Sequence, residues 1–539
     1  MQKRFALNGP WLEWRVDTVI LFSAALLTLF YNHAFFDNVL REYAPGDGNF
    51  LFVLSLGAFL FALTALLLGM LCNCVTLKPV LMLVFPIAAL ASHFMNRYNI
   101  VVDTTMLDNV MATDTREVSD LLSTRLFVTF GIFGLLPAWL VSRIKIRRLP
   151  ARSALYKKLQ VTLGSMALLA VLVLAQGSSY AGFFREHKAL RYYANPVTAL
   201  YSLGKYATEF TSVDDPGDRT PIGMDARIPA TDLDRELIVL VLGETARADH
   251  FSLQGYSRKT NPLLENAGVT YFTNVTSCAT STAASVPCMF SKDNASEFEL
   301  EEAGSIENLL DVLSHAGTSI LWRDNNSDSK GVAVGVSQQD FREPSVNPAC
   351  DTECRDVGML AGLDEWIEDT EDGDVVIVLH QMGNHGPAYY RRYPKEFEIF
   401  TPVCSTTALE DCTQEEITNA YDNAILYTDY FLSQVIGFLG NYDDEFETAM
   451  FYISDHGESL GEHGLYLHGL PNFMAPEEQR HVPALMWFGK NYGIDREMVA
   501  SRAQDDWSHD NFFHTVLGLM DVETTVYAPE LDIIRNAHL

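Results

Sequence analysis

Apolar residues along the 539-residue chain are arranged in two different ways. Up to about residue 178 they form long uninterrupted stretches, whereas beyond residue 230 they form short runs separated by polar and helix-patterned sequence. Five of the early stretches, near residues 17–36, 49–71, 76–95, 124–142 and 158–177, reach the roughly 20 residues a helix needs to cross a bilayer. Their repetition argues against a cleavable signal peptide, as does the lack of a cleavage-like stretch after the first. In the later part, Leu237–Leu242, Ser319–Trp322, Val375–Leu379, Ala449–Ile453 and Ala484–Phe488 read as buried strands. Glu301–His315 and Ile417–Leu439 read as helices between them. Continuous apolar strands alternating with helices predict a parallel sheet covered on both faces. Between the two parts, Phe183 to Phe210 mixes aromatic and basic residues, as a helix on a membrane surface does. Thr211 to Pro229 is rich in Asp, Pro and Gly and reads as a linker. The pattern thus divides the chain into a membrane part (1–177), a connector (178–232) and a soluble part (233–539).

Charge sets the orientation. Residues 143–158 carry seven cations and no acid, which places that connection in the cytoplasm, and Lys3 and Arg4 put the amino terminus there too. The loop at 96–123, with Asp103, Asp108, Asp114, Glu117 and Asp120, then lies outside, as does everything after about residue 178. Residues 1–230 hold 21 Lys+Arg against 16 Asp+Glu, leaving 17 against 53 for the remainder. So acidic a soluble part excludes nucleic acid as a partner, because phosphate binding needs a basic face. Six of the eight cysteines lie there as close pairs: Cys278 with Cys288, Cys350 with Cys354, and Cys404 with Cys412. Such pairs suit three local disulfides in an oxidising periplasm. Cys72 and Cys74, in a short cytoplasmic turn, read as free thiols.

Several predicted strands end in polar clusters. Gly243-Glu-Thr-Ala-Arg247 follows the first, His380-Gln-Met-Gly-Asn-His-Gly-Pro387 the third, and Ser454-Asp-His-Gly-Glu-Ser-Leu-Gly-Glu-His-Gly-Leu-Tyr-Leu-His468 the fourth. One sheet edge therefore gathers Glu244, Asp455 and His456, oxygen and nitrogen donors that suit a single zinc ion with a position left open. His385 and His468 come from neighbouring loops and fit substrate phosphate or a second metal. Glu458, Glu462 and His463 read as loop structure. The hydroxyl-rich stretch Thr276 to Cys288 offers a nucleophile, with a helix beginning near Thr282 whose amino terminus favours a phosphoryl group.

Five segments together resemble the membrane-bound phosphoethanolamine transferases of Gram-negative bacteria, a family that includes the lipid A-modifying enzymes linked to polymyxin resistance. They are Gly243–Arg247, Ser277–Phe290, Asn325–Lys330, His380–Pro387 and Ser454–His468. The resemblance covers nearly the whole chain. It implies an α-helical domain of five spans in the inner membrane, followed by an α/β alkaline-phosphatase-like, sulfatase-like periplasmic domain. It also implies zinc held by Glu244, Thr282, Asp455 and His456, with Thr282 rather than Thr280 as nucleophile. Lys330, His385 and His468 match positions that contact the phosphoethanolamine group, and Asn109 and Glu117 match positions near the lipid donor. The implied reaction takes phosphoethanolamine from phosphatidylethanolamine to lipid A phosphates through a threonine intermediate. Kdo or heptose of the core are alternative acceptors within lipopolysaccharide, and a related phosphohydrolase or glycerol-phosphate transferase is the alternative activity. A sulfatase needs Cys/Ser-x-Pro-x-Arg, and Ser285-Val-Pro-Cys-Met289 lacks the arginine. Ala279 stands where the family usually has glycine.

Overall fold

The computed structural model describes residues 13–112, 118, 120–210, 219–370 and 373–538. Lys3, Arg4, Asp114, Glu117 and the opening of the expected linker lie outside these. The chain divides into two compact units, Met1–Leu107 with Leu122–Thr211, and Asp108–Leu121 with Ser212–Leu539.

The first unit is helical. Helices α1 (Val16–Phe30) and α2 (His33–Glu42) occupy the first predicted span but are bent by 56° at their junction. The single uninterrupted span expected over 17–36 is therefore broken. The cause is Asn32, a buried amide whose Nδ2 donates to Leu27 O at 2.8 Å and to Asn195 O at 2.7 Å. Its own Oδ1 accepts from Asn195 N–H at 2.9 Å, so the break is held by a buried hydrogen-bond network between the two asparagines. Four further helices are long and apolar enough to cross a membrane: α3 (Phe50–Leu71), α4 (Leu77–Tyr98), α5 (Thr124–Arg143) and α6 (Ala151–Ala175). With the bent pair counted as one, there are five spans among the described residues. Large apolar side chains such as Leu51, Leu54 and Leu174 (83% exposed) face outward, as lipid-facing residues do. α7 (Gly177–Glu186) and α8 (Val197–Phe210) follow, and the stretch predicted to be interfacial, 183–210, holds the end of α7 and all of α8.

The second unit is built on a seven-stranded sheet. In chain order its strands are β1 (Glu236–Gly243), β2 (Thr270–Phe272), β3 (Ser319–Asp324), β4 (Ser337–Asp340), β5 (Val375–His380), β6 (Glu447–Ser454) and β7 (Ala484–Phe488). Their spatial order is β2-β7-β6-β1-β5-β3-β4. The five from β6 to β4 are parallel, as expected, but β7 runs antiparallel to both β6 and β2. The sheet is thus mixed rather than all parallel. An antiparallel strand near the edge is a common variant, and its apolar pattern is the same in either direction.

Alternation along β1 sends Leu237, Val239 and Val241 to one apolar cluster and Ile238, Leu240 and Leu242 to another. Among the helices that cover these two faces are α9 (Thr282–Met289), α10 (Leu309–His315), α11 (Gln414–Leu439) and α12 (Phe512–Leu519). Ile417, Tyr421, Phe431 and Leu432 of α11 pack on the first face. Val286 of α9, Leu310 of α10 and Phe512 of α12 pack on the second. Each fully buried aliphatic side chain contributes about 1.5–3 kcal/mol. Ile222 and Ala226, in the second half of the expected linker, belong to this core as well.

All three predicted disulfides form. Cys278 is bonded to Cys288, Cys350 to Cys354, and Cys404 to Cys412. Cys354 lies within the segment that leads from β4 to β5, and Cys412 stands just ahead of α11, so each bond ties a loop of the second unit close to a framework element. Cys72 and Cys74 are free, as expected.

Candidate active site

β1 and β6 lie side by side with Gly243 opposite Ser454, so the residues just beyond them, Glu244 and Asp455, emerge together. The close packing here needs glycine: a Cβ on Gly243 would come within 2.5 Å of the Tyr452 hydroxyl, and one on Gly383 (φ 48°) within 2.9 Å of Glu244 O. Thr245 adopts a left-handed backbone (φ 51°), which costs energy for a β-branched residue. It is held by its N–H donating to Asp455 Oδ1 (3.2 Å) and by the Tyr421 hydroxyl donating to Thr245 O (2.6 Å). Ser454 Oγ accepts from Ala246 N–H at 2.9 Å and fastens the same turn to β6.

Glu244, Asp455 and His456 are fully buried, and their donor atoms all lie within 4.8 Å of one another. Thr282, the first residue of α9, joins them: its Oγ1 is 3.1 Å from Glu244 Oε2 and 3.3 Å from His456 Nε2. His456 Nδ1 donates to Gly457 O at 2.9 Å, which leaves the Nε2 lone pair turned into the group. Burial pushes this imidazole down to about 3, so it is neutral, as a metal ligand must be. Asp455 Oδ1 accepts two backbone N–H groups, whereas Oδ2, 3.4 Å from His456 Nε2, is buried without a hydrogen-bond partner. Two carboxylates, a neutral imidazole and a hydroxyl converging in a dry site, with one carboxylate oxygen orphaned, fit a bound zinc ion.

Residues around this group set its geometry. Asn326 Nδ2 donates to Glu244 Oε2 at 2.7 Å and to Gln381 O at 2.8 Å, from a fully buried position. Ser285 Oγ donates to Asp455 O at 2.6 Å and ties α9 to the loop after β6. The Cys278–Cys288 disulfide closes the same segment. Ala279 takes no positive φ, so the alanine fits the local backbone without strain. Burial alone would lower the Arg247 guanidinium, but Asp249 and Glu462 hold it above its ordinary value. Arg247 also donates to Glu458 O at 3.1 Å, so it staples the loop after β6 onto the turn after β1.

His385 and His468 stand together, with ring centroids 5.5 Å apart, and the His468 ring lies 4.3 Å from that of His456. His468 Nδ1 is 3.3 Å from Oε2 of Glu458, a fully buried carboxylate. Lys330 lies on the same loop as Asn326, with a left-handed backbone (φ 50°), a 6% exposed side chain and Nζ 3.6 Å from Asp328. Asn109 is half-buried in the helix Thr104–Ala112, and Glu117 lies outside the described residues. Glu458 and Glu462, which read as loop structure in the sequence, thus contact His468 and Arg247 respectively. Asn326 is visible in the Asn325–Lys330 motif, but its bond to Glu244 depends on a strand order that no local pattern carries.

Residues 236–522 match the sulfatase family model, and residues 60–210 match the model described as phosphoethanolamine transferase EptA/EptB. The chain is 44% identical over 530 residues to phosphatidylethanolamine transferase Mcr-1 of Escherichia coli, covering 96% of this chain and 97% of that one. It is 39% identical to phosphoethanolamine transferase EptA of Salmonella typhimurium, over 99% of both. The solved integral membrane protein lipooligosaccharide phosphoethanolamine transferase A of Neisseria meningitidis is 34% identical and superposes with a TM-score of 0.93, covering 98% of this chain and 100% of that one. A helical membrane unit, a sulfatase-like soluble unit in the periplasm and full-length similarity to these enzymes place the chain in the phosphoethanolamine transferase family.

Proposed function

We propose that the protein is a zinc-dependent enzyme that moves phosphoethanolamine from phosphatidylethanolamine to the phosphate groups of lipid A, through a phosphoethanolamine-threonine intermediate on Thr282. The reading rests above all on one observation, a threonine hydroxyl 3.1 Å and 3.3 Å from two members of a buried carboxylate–imidazole group at the start of a helix. Zinc held by Glu244, Thr282, Asp455 and His456 would lower the pKa of the hydroxyl and neutralise charge developing on the phosphoryl oxygens.

Thr282 Oγ1 attacks the phosphorus, and the bond between phosphorus and the glycerol oxygen breaks. The Oγ1 proton has Glu244 Oε2 as its acceptor. Diacylglycerol leaves as an alkoxide and takes a proton from His468 Nε2, whose ring is oriented by Glu458 at Nδ1. A hydroxyl oxygen of the acceptor phosphate monoanion then attacks the same phosphorus and passes its proton to His468 Nε2, while the Thr282 oxygen departs and recovers its proton from Glu244. The amino terminus of α9 favours the negative charge passing through this point. Lys330 and His385 are assigned to the phosphoryl oxygens, and Asn109 and Glu117 to the donor lipid. Five spans keep the enzyme in a membrane, where a lipid donor and a lipid acceptor are both found.

Transfer of labelled ethanolamine phosphate from phosphatidylethanolamine tests the proposal. Wild type transfers and carries the label on a Thr282 peptide by mass spectrometry, while Thr282→Ala does neither. Undiminished transfer by Thr282→Ala refutes the mechanism, and label found on core sugars but not on lipid A refutes the acceptor.

A further inference from the structure

A second acidic group lies at the other end of β1, roughly 26 Å from Glu244 at about 3.3 Å per strand residue. The carboxylate oxygens of Asp232, Glu236 and Asp521 all lie within 4.8 Å of one another. Glu236 opens β1 and is 1% exposed. Its Oε2 and Asp232 Oδ2 are shielded from solvent and have no hydrogen-bond partner among the described residues. Asp374, also buried, stands beside them with Oδ1 accepting the Glu236 backbone N–H at 3.0 Å.

Little positive charge reaches this group. Arg235 turns away, donating to Gly373 O at 2.9 Å and lying 4.4 Å over the Phe446 ring. His538 Nδ1 is 3.6 Å from Asp521 Oδ1, and both side chains are partly exposed. Glu447 and Asp234 add further negative charge nearby. Burial, followed by the neighbouring Asp374, Asp232 and Asp521, holds the Glu236 carboxyl well above its ordinary range. Two buried carboxylates, Glu236 and Asp374, with the half-buried Asp232 and Asp521 against them, are stable only if a proton or a cation offsets their charge.

We propose that Asp232, Glu236 and Asp521, backed by Asp374, bind a structural calcium ion. The donor set is all oxygen, without the nitrogen or sulfur that zinc prefers. Calcium accepts irregular geometry from carboxylates, whereas magnesium demands a regular octahedron, which three carboxylates converging from separate segments do not supply. The orphaned Glu236 and Asp232 oxygens are the ligands that would otherwise lack partners. The ion would clasp the chain entering β1 to the segment after α12, where Asp521 takes a left-handed backbone (φ 49°). A periplasmic unit is exposed to extracytoplasmic calcium, and extracellular modules bind the ion with Kd of about 10⁻⁴–10⁻³ M.

The test uses the purified full-length, zinc-loaded protein in detergent, with calcium chloride as the probe. Thermal unfolding should shift upward with calcium and saturate in the millimolar range. Glu236→Gln and Asp521→Asn should abolish the shift and weaken calcium binding at least tenfold by titration calorimetry, while Thr282→Ala keeps it. If Glu236→Gln does not fold, the partly exposed Asp232→Asn carries the comparison. A wild type indifferent to calcium, or variants that respond as wild type does, overturns the proposal. So does a Glu236→Gln protein more stable than an unresponsive wild type, since the amide mimics a protonated acid and would show that a proton fills the role.

Discussion

Asn326 orients a carboxylate that the proposed metal needs, and its removal should be felt there first. Asn326→Ala deletes the Nδ2 donor 2.7 Å from Glu244 Oε2 and 2.8 Å from Gln381 O, at a fully buried position. A hydrogen bond to a charged partner contributes about 1.5–3 kcal/mol, and a neutral one about 1 kcal/mol. At about 1.4 kcal/mol per factor of ten, loss of the charged bond alone weakens zinc binding by about 10- to 100-fold. That is also the usual loss when a partner behind a metal ligand is removed. Zinc affinity of the purified full-length protein, measured by competition with a chelator, reads this directly. Transfer at saturating zinc shows how much of the defect metal restores. Asn326→Asp should be worse than alanine, because it sets a second anion against Glu244. An Asn326→Ala protein that binds zinc as wild type does, with unaltered transfer, would refute the role given to this amide.

The neighbouring groups give further expectations. Glu458→Gln should lower kcat by about 10²-fold, since the His468 ring loses the carboxylate that orients it; an unaltered kcat would leave Glu458 a purely structural role. Replacing both Cys278 and Cys288 by alanine opens the loop around the start of α9, whose ends are 10 residues apart, and should cost about 2–4 kcal/mol in urea unfolding. His509 is buried, its Nδ1 accepting Cys278 N–H at 3.1 Å and its Nε2 donating to Ser454 O at 3.0 Å, and burial pushes it down to about 4. The unfolded imidazole gains a proton below about 6.5 and the folded one does not until about 4, so this residue makes stability fall as pH drops through that window. His509→Asn should remove one proton from the pH dependence of the denaturation midpoint there, and an unchanged slope would contradict the assignment.

What can be read along the chain follows from local physics. Span length, cation placement and the continuous apolar runs of β1, β3, β5, β6 and β7 are imposed by bilayer thickness and by burial, both of which act on consecutive residues. Glu244, Asp455 and His456 are legible for the same reason: each follows a strand closely, and carboxyl ends of parallel strands gather at one edge. Pairing of nearby cysteines is equally local, since Cys350 and Cys354 are 4 residues apart and Cys404 and Cys412 only 8.

Strand order and direction are not local. The antiparallel β7 presents the same apolar run as a parallel strand would, so the assembled sheet decides it. The break at Asn32 arises from an amide partner 163 residues away, which hydropathy cannot register. Asn326 reaches Glu244 because β3 lies two strands from β1, across β5. Glu458 reads as loop structure until its burial and the facing imidazole are seen. Residue type and short-range spacing were enough to specify a membrane-anchored α/β protein with oxygen and nitrogen donors gathered at one sheet edge, whereas the choice of Thr282 within its hydroxyl-rich stretch came from the family resemblance. Which side chains support those donors, and that a second set of carboxylates converges at the opposite end of the sheet, came from the folded chain alone, because both depend on contacts between distant segments.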